Sequence, residues 1–197
     1  TQQVLANYKG NNSAPAWAPD GKQLVATLSR DGGSQLYAIG LNGGEPRRLT
    51  QSSSIDTEPA YSPDGKSIYW VSDRGGAPQI YRMSPSGGNP ERVTFTGSYN
   101  ISPAISPDGR WLAYVSRVGG AFKLQVMELA SGTVTSITDT TADESPRIAP
   151  NSHWTVCATQ QQGKEAWMTT TRDGKVNAEL SGAGGDIREP DWGPFQR

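Results

Sequence analysis

The sequence predicts an all-β chain, a β-propeller built from four-stranded antiparallel blades of about 44 residues. Three observations predict it. A short motif recurs at a nearly constant spacing. Between its copies lie alternating apolar runs of strand length, separated by turns that contain glycine. No stretch has the apolar spacing of an amphipathic helix.

The repeat is anchored by a proline that recurs at intervals of 44, 44, 43 and 44 residues. The five segments read PAWAPDG, PAYSPDG, PAISPDG, PRIAPNS and PDWGPFQ, and begin at Pro15, Pro59, Pro103, Pro146 and Pro190. The register continues along each unit. An apolar residue stands 21 positions after the proline, and a threonine or serine stands 35 positions after it, at Thr50, Thr94, Thr138 and Ser181.

Each unit divides into four strands. Strand one is a short run after the proline, such as AWA or AYS, and Pro-Asp-Gly then forms a tight turn. Strand two is an alternating run such as KSIYWVSD, and strand three is a run such as QIYRMS. Strand four is short, as in ERVT. A plain β-sandwich would not require such a strict repeat, and the coils of a parallel solenoid are usually shorter.

We therefore expect one β-propeller domain over residues 1–197. Its repeats are 15–58, 59–102, 103–145 and 146–189, and residues 1–14 and 190–197 are expected to be terminal strands of a partial blade. One blade cannot bury both faces of its sheet, so like blades stack and need the same residues at the same places. The aspartate of Pro-Asp-Gly is interpreted as a turn residue.

Composition argues against several classes of partner and chemistry. The net charge is −1 and no basic stripe is visible, so nucleic acid is not an expected partner. No apolar run reaches the roughly 18 residues of a membrane span, and no signal peptide is visible in this chain. Cys157 is the only cysteine and is interpreted as a buried core residue.

The sequence also gives little support for catalysis. The serine-peptidase alternative, in which a propeller accompanies a hydrolase domain, needs a Gly-x-Ser-x-Gly elbow, and none occurs. His153, the only histidine, stands beside a turn. No metal-binding motif is present either. Because both a catalytic elbow and a metal-binding motif are missing, we expect no enzyme activity and no cofactor. A sugar-processing propeller with converging carboxylates stays open at this point.

The ordered series GNNSAPAW, IDTEPAY, GSYNISPA, DESPRIAP and DIREPDW resembles the carboxy-terminal propeller of the TolB family, over essentially the whole chain. The resemblance implies a six-bladed propeller in a periplasmic protein of the Tol–Pal system, which supports the cell envelope and cell division. It further implies a protein partner, the peptidoglycan-associated lipoprotein Pal, bound at one mouth of the propeller tunnel. Some bacteriocins capture the same propeller.

The chain departs from that family pattern in its extent. It is expected to lack the amino-terminal domain, the first blade and most of the second, so a six-bladed ring cannot close within it. Three explanations are open: an engineered or truncated fragment without a retained partner, a smaller ring, or association with a second copy through incomplete blade edges.

Function is expected in the loops that precede strand one and in the loops between strands two and three, which share one mouth of a propeller. These loops carry acidic residues together with Arg30, Arg74 and Arg117. Mixed charge suits a polar protein partner. By motif match, the partner-binding residues are Asn11, Asn12, Ser13, Ala14, Asp56, Thr57, Glu58, Asn100, Ser102, Asp143, Glu144 and Arg188.

Overall fold

The structure is a computed structural model and describes residues 3–161, 164–180 and 188–193. All regular structure in these residues is β, arranged as four antiparallel sheets of four strands each. This confirms the all-β prediction and the four-stranded repeat. Among the same residues there is no helix that could cross a lipid bilayer.

Each sheet contains four strands that are consecutive in the chain and hydrogen-bonded in that order. The first sheet has β1 Asn12–Trp17, β2 Gln23–Leu28, β3 Gln35–Gly40 and β4 Arg47–Arg48. The second has β5 Asp56–Tyr61, β6 Ile68–Ser72, β7 Gln79–Met83 and β8 Glu91–Arg92. The third has β9 Asn100–Ile105, β10 Trp111–Val118, β11 Ala121–Glu128 and β12 Val134–Ser136. The fourth has β13 Glu144–Ile148, β14 Trp154–Gln161, β15 Lys164–Thr171 and β16 Asn177–Leu180.

Sheets pack face to face within two compact units, Thr1–Thr96 and Gly97–Arg197. Each unit has a core cluster to which both of its sheets contribute. In the first unit this cluster is Val25, Leu36, Ala38, Leu49, Ile68, Trp70, Tyr81 and Met83. In the second it is Ala104, Ala113, Leu124, Val126, Ile137, Cys157 and Met168. The repeated apolar positions thus bury one sheet against its neighbour, as stacked blades require.

The other face of the first sheet is also covered. Leu24 and Leu28 are buried there, and Leu5, Ala6 and Tyr8 pack against them. The amino-terminal segment therefore supplies apolar contacts where a preceding repeat would lie.

The two end segments of the chain, residues 1–14 and 190–197, are expected to form a partial blade. The described residues 3–11 and 188–193 form no strand, whereas residues 12–14 belong to β1 of the first sheet. The remaining residues of the two end segments lie outside the described part of the chain. Pairing of the two ends in one blade stays a prediction.

The recurring threonine has a structural role. In each of three repeats its buried hydroxyl accepts the backbone N–H of the apolar strand-three residue 14 positions earlier. The pairs are Thr50 with Leu36 at 3.0 Å, Thr94 with Ile80 at 2.9 Å and Thr138 with Leu124 at 3.0 Å. Each hydroxyl therefore continues the hydrogen bonding of strand three beyond the short strand four. Ser181, the fourth member, lies outside the described residues.

The Pro-Asp-Gly motif forms the predicted turn. The side-chain oxygen of Asp64 accepts the backbone N–H of Lys66 at 3.0 Å, and the same bond joins Asp108 to Arg110. The turn glycine Gly65 has a φ of 69°. These carboxylates are thus occupied by the backbone of their own turn, as the sequence predicts.

Strand one begins three residues before the repeat proline in the first three sheets, and so is longer than the sequence predicts. The residue just before each proline lies in the left-handed region although none is glycine, with φ of 48° to 55° at Ala14, Glu58, Ser102, Ser145 and Glu189. The pairing with strand two shifts register at this residue in all four sheets. Each strand one therefore contains a β-bulge.

The threonine bond predicts a specific loss of stability. Thr94→Val removes a hydroxyl that accepts the backbone N–H of Ile80 and donates to the side-chain oxygen of Gln79 at 2.8 Å. Both groups lose that hydrogen bond. We expect the free energy of unfolding, measured by urea titration, to fall by about 1–3 kcal/mol. Thr135→Val, at an exposed position of β12, is the control and should change stability by less than about 0.5 kcal/mol. An equal effect of both substitutions would contradict this role.

The left-handed residue predicts an unusual order of substitutions at Ala14. A left-handed conformation costs a non-glycine residue about 1–2 kcal/mol, and a β-branched residue tolerates it least. Ala14→Gly should therefore leave stability unchanged or raise it, and Ala14→Val should lower it by more than about 1 kcal/mol. At Ala16, an ordinary position of the same strand, valine should be tolerated better than glycine. The same order at both positions in thermal unfolding would refute the bulge.

Candidate functional site

The two sets of loops that carry the predicted site meet at one end of each sheet. The start of strand one pairs with the end of strand two, as Asp56 does with Ser72 and Asn100 with Ser116. The loop before strand one therefore lies beside the loop that follows strand two. We call this end of a sheet its loop edge. Within each sheet, the predicted proximity of the two sets is confirmed.

The bulge decides which residues of the loop edge face the interior. In the second sheet Asp56 pairs with Ser72 and Tyr61 with Ile68, so both side chains lie on the face that carries Trp70. They are five residues apart, and in a regular strand such residues point to opposite faces. The extra residue at the bulge therefore turns Asp56 inward.

Asp56 is the centre of a hydrogen-bonded cluster. Its side chain is fully buried, and one carboxylate oxygen accepts from Trp70 Nε1 at 2.9 Å and from an Arg74 guanidinium nitrogen at 2.8 Å. The other oxygen accepts from the Ser52 hydroxyl at 3.1 Å. The Arg74 guanidinium also lies 5.4 Å from the centre of the Trp70 ring and 5.1 Å from that of Tyr81. A buried carboxylate thus fixes an arginine at the loop edge.

Asp143 occupies the corresponding position in the fourth repeat and is held in a different way. Its carboxylate accepts hydrogen bonds from the hydroxyls of Thr138, Thr140 and Thr159, the last at 2.7 Å. It also accepts the backbone N–H of Leu124 at 2.9 Å. None of these described hydrogen-bond donors is a cation, which distinguishes Asp143 from Asp56.

The structure divides the twelve predicted binding residues into two groups. Three have buried side chains: Asp56, Asn100 and Asp143. Since a buried side chain does not meet a docking partner directly, these three fit a role in positioning the loop edge rather than in surface contact. The other nine are exposed or partly exposed: Asn11, Asn12, Ser13, Ala14, Thr57, Glu58, Ser102, Glu144 and Arg188.

Several exposed members are themselves anchored. Asn12 accepts the backbone N–H of Tyr8 at 3.0 Å and donates to the Tyr8 carbonyl at 2.7 Å. The hydroxyls of Thr57 and Thr27 are 3.2 Å apart, which links the two sheets of the first unit at their loop edges. Arg188 lies 3.6 Å from the Glu165 carboxylate. Asp186, an acidic residue four positions before Pro190 in the sequence, lies outside the described residues.

Neither Cys157 nor His153 is exposed at a loop edge. Burial, and then the nearby Asp143 carboxylate, raises the pKa of the Cys157 thiol, which therefore stays protonated and unreactive. This agrees with its interpretation as a core residue. His153 is exposed in the turn before β14. The described residues contain no group of three histidine, cysteine or acidic side chains that could hold a metal ion.

Two features of the site were missed from the sequence. The left-handed residue of strand one is alanine, glutamate or serine, none of which signals such a conformation, and it precedes proline, which favours an extended one. The stacking of Arg74 on Trp70 and Tyr81 depends on three strands or loops at once. A signal for it did exist, since Arg74 and Asp56 belong to the two loop sets that share an edge.

The comparisons with known proteins agree with one another. The family model described as the TolB beta propeller domain matches residues 1–196. The Tol-Pal system protein TolB of Bordetella avium is 52% identical over 198 aligned positions, which cover 100% of this chain and 45% of that protein. The crystal structure of TolB from Acinetobacter baumannii has a TM-score of 0.90 and 38% identity, and the match covers 98% of this chain and 48% of that one.

A more distant likeness concerns the fold only. The structure of a puromycin-hydrolyzing peptidase from Mycobacterium tuberculosis has a TM-score of 0.72 at 15% identity, over 91% of this chain and 30% of that one. This chain spans less than half the length of the curated relatives it matches. Since the family model covers nearly every residue and the motif series agrees with it, the chain belongs to the TolB beta-propeller domain family.

Proposed function

We propose that this chain is a non-enzymatic protein-binding scaffold of the Tol–Pal system that binds Pal at the loop edges of its sheets, in the periplasm. Family membership supports the system, because curated relatives carry the name Tol-Pal system protein TolB. The wider roles in cell-envelope maintenance, cell division and bacteriocin transport belong to the same proposal. Bacteriocin peptides would compete with Pal for the same loop edges.

One observation carries the binding role. The strand-one bulge leaves polar residues exposed at the loop edge. It also turns a neighbouring side chain inward, and that buried side chain holds the exposed residues in place. Thr57 is partly exposed and lies one residue from the buried Asp56, whose carboxylate is tied to Trp70 and Arg74. A surface that is already rigid before binding loses less conformational entropy in the complex. It therefore suits recognition of a folded protein.

The alternatives have less support. The peptidase likeness, at 15% identity, indicates the fold and carries no functional residue to this chain. A fragment without a retained partner would not bind Pal at its loop edges. Calorimetric titration with the soluble domain of Pal separates that case from the proposal, because the proposal requires saturable binding.

The proposal predicts that substitutions at the loop edge weaken Pal binding without unfolding the chain. Thr57→Arg places a bulky cation between the loop edges of the first two sheets, and Ala14→Asn adds volume at a left-handed residue where asparagine is tolerated. We expect each to weaken binding of the soluble Pal domain at least tenfold in calorimetry, about 1.4 kcal/mol.

The matched control is Thr135→Arg, at an exposed position of β12 away from the loop edge. It should bind Pal as the unsubstituted chain does. Circular dichroism should show the same β spectrum for all three variants. Unchanged affinity in both loop-edge variants would remove the loop edge from the binding surface.

A further inference from the structure

A cavity of about 140 Å³ opens at the loop edge of the fourth sheet. It is lined by Ala142, Glu144, Thr159, Gln160, Glu165 and Arg188. They come from three segments: the chain entering β13, the ends of β14 and β15 that face each other in their hairpin, and the chain just before Pro190. The cavity thus joins three separate segments that the sequence assigns to binding loops.

The charges around this cavity do not balance. Arg188 pairs with Glu165 at 3.6 Å. Glu144 is exposed and makes no ion pair with any described residue. Behind the wall, Thr159 donates its hydroxyl to the buried Asp143 carboxylate, which has hydroxyl and amide partners but no described cation. The lining of the cavity therefore carries two carboxylates and one guanidinium, a net charge of −1.

The size and polarity of the cavity limit what can enter it. A volume of about 140 Å³ corresponds to four or five water molecules, at about 30 Å³ each. That space accommodates the end of one side chain and excludes a folded element. An anionic group would be repelled by Glu144 and Glu165, and an apolar one would strip water from carboxylates without replacing their hydrogen bonds.

We infer that this cavity receives one basic side chain of the protein partner, a lysine or an arginine, and that Glu144 is its counter-charge. The inference rests on the proposed function, because it specifies the chemistry of the same binding event. The ammonium or guanidinium donates to the Glu144 carboxylate and to the Gln160 side-chain oxygen. Glu165 is held by Arg188 and keeps the opposite wall in place.

The test uses Glu144→Gln, which removes the charge and keeps the shape. Its control is Glu179→Gln, which makes the same change of charge at an exposed position of β16. Each variant is titrated with the soluble Pal domain at low and at high salt. We expect Glu144→Gln to bind about fivefold more weakly than the unsubstituted chain and to depend less on salt, and Glu179→Gln to bind normally.

The outcomes separate the two claims. If the unsubstituted chain binds Pal and Glu144→Gln binds as tightly, the inference is wrong while the proposed function stands. If the unsubstituted chain does not bind Pal, the proposed function fails. Binding of a basic side chain in the cavity is then tested separately by nuclear magnetic resonance. The probe is N-acetyl-lysine methylamide, and N-acetyl-norleucine methylamide is the uncharged control.

In that second experiment we expect the lysine probe alone to shift the backbone amide signals of Glu144, Gln160 and Glu165. The shifts should be lost in Glu144→Gln and kept in Glu179→Gln. Equal shifts with both probes, or no shift at these amides, would overturn the inference.

Discussion

The strand-one bulge is the constraint on which the loop edge depends. A left-handed residue before each repeat proline inserts one extra position into strand one. Without it, Asp56 would point away from Trp70 and Arg74, which it now binds through one carboxylate oxygen at 2.9 and 2.8 Å. Each such residue costs about 1–3 kcal/mol of backbone strain. The strain is tolerated because the buried polar side chain that it turns inward secures the two loops of the edge.

Different repeats secure the same edge with different chemistry. Asp56 is neutralised by Arg74, whereas Asp143 is satisfied by threonine hydroxyls and one backbone N–H. A buried carboxylate at this position therefore does not require an arginine. The consequence is electrostatic: the second sheet presents an arginine held by a buried carboxylate, and the cavity lining of the fourth carries two carboxylates and one guanidinium. Such variation on a constant scaffold allows one fold to recognise a particular partner.

Much of the fold could be predicted because the repeat spacing and the turn residues between the apolar runs mark where each strand lies. The spacing of the prolines, the run of strand two and the threonine that follows strand four each correspond to an observed element, and β7 lies within the predicted run QIYRMS. The start of strand one could not be predicted, because Ala14 and Glu58 carry no signal for a left-handed conformation. The burial of Asp56 and Asp143 escaped prediction for the same reason, since a single inserted residue reverses which face a side chain occupies. An acidic residue in a loop otherwise indicates exposure.

Hydrogen exchange of the chain with and without the soluble Pal domain reports every loop at once and so locates the binding surface. Added Pal should slow exchange in the segments that form the loop edges, 10–14, 55–58, 98–102 and 142–145. Exchange should not change at the Pro-Asp-Gly turns, which lie at the other end of each sheet. Protection at those turns, or protection nowhere, would contradict the assignment of the loop edges as the binding surface.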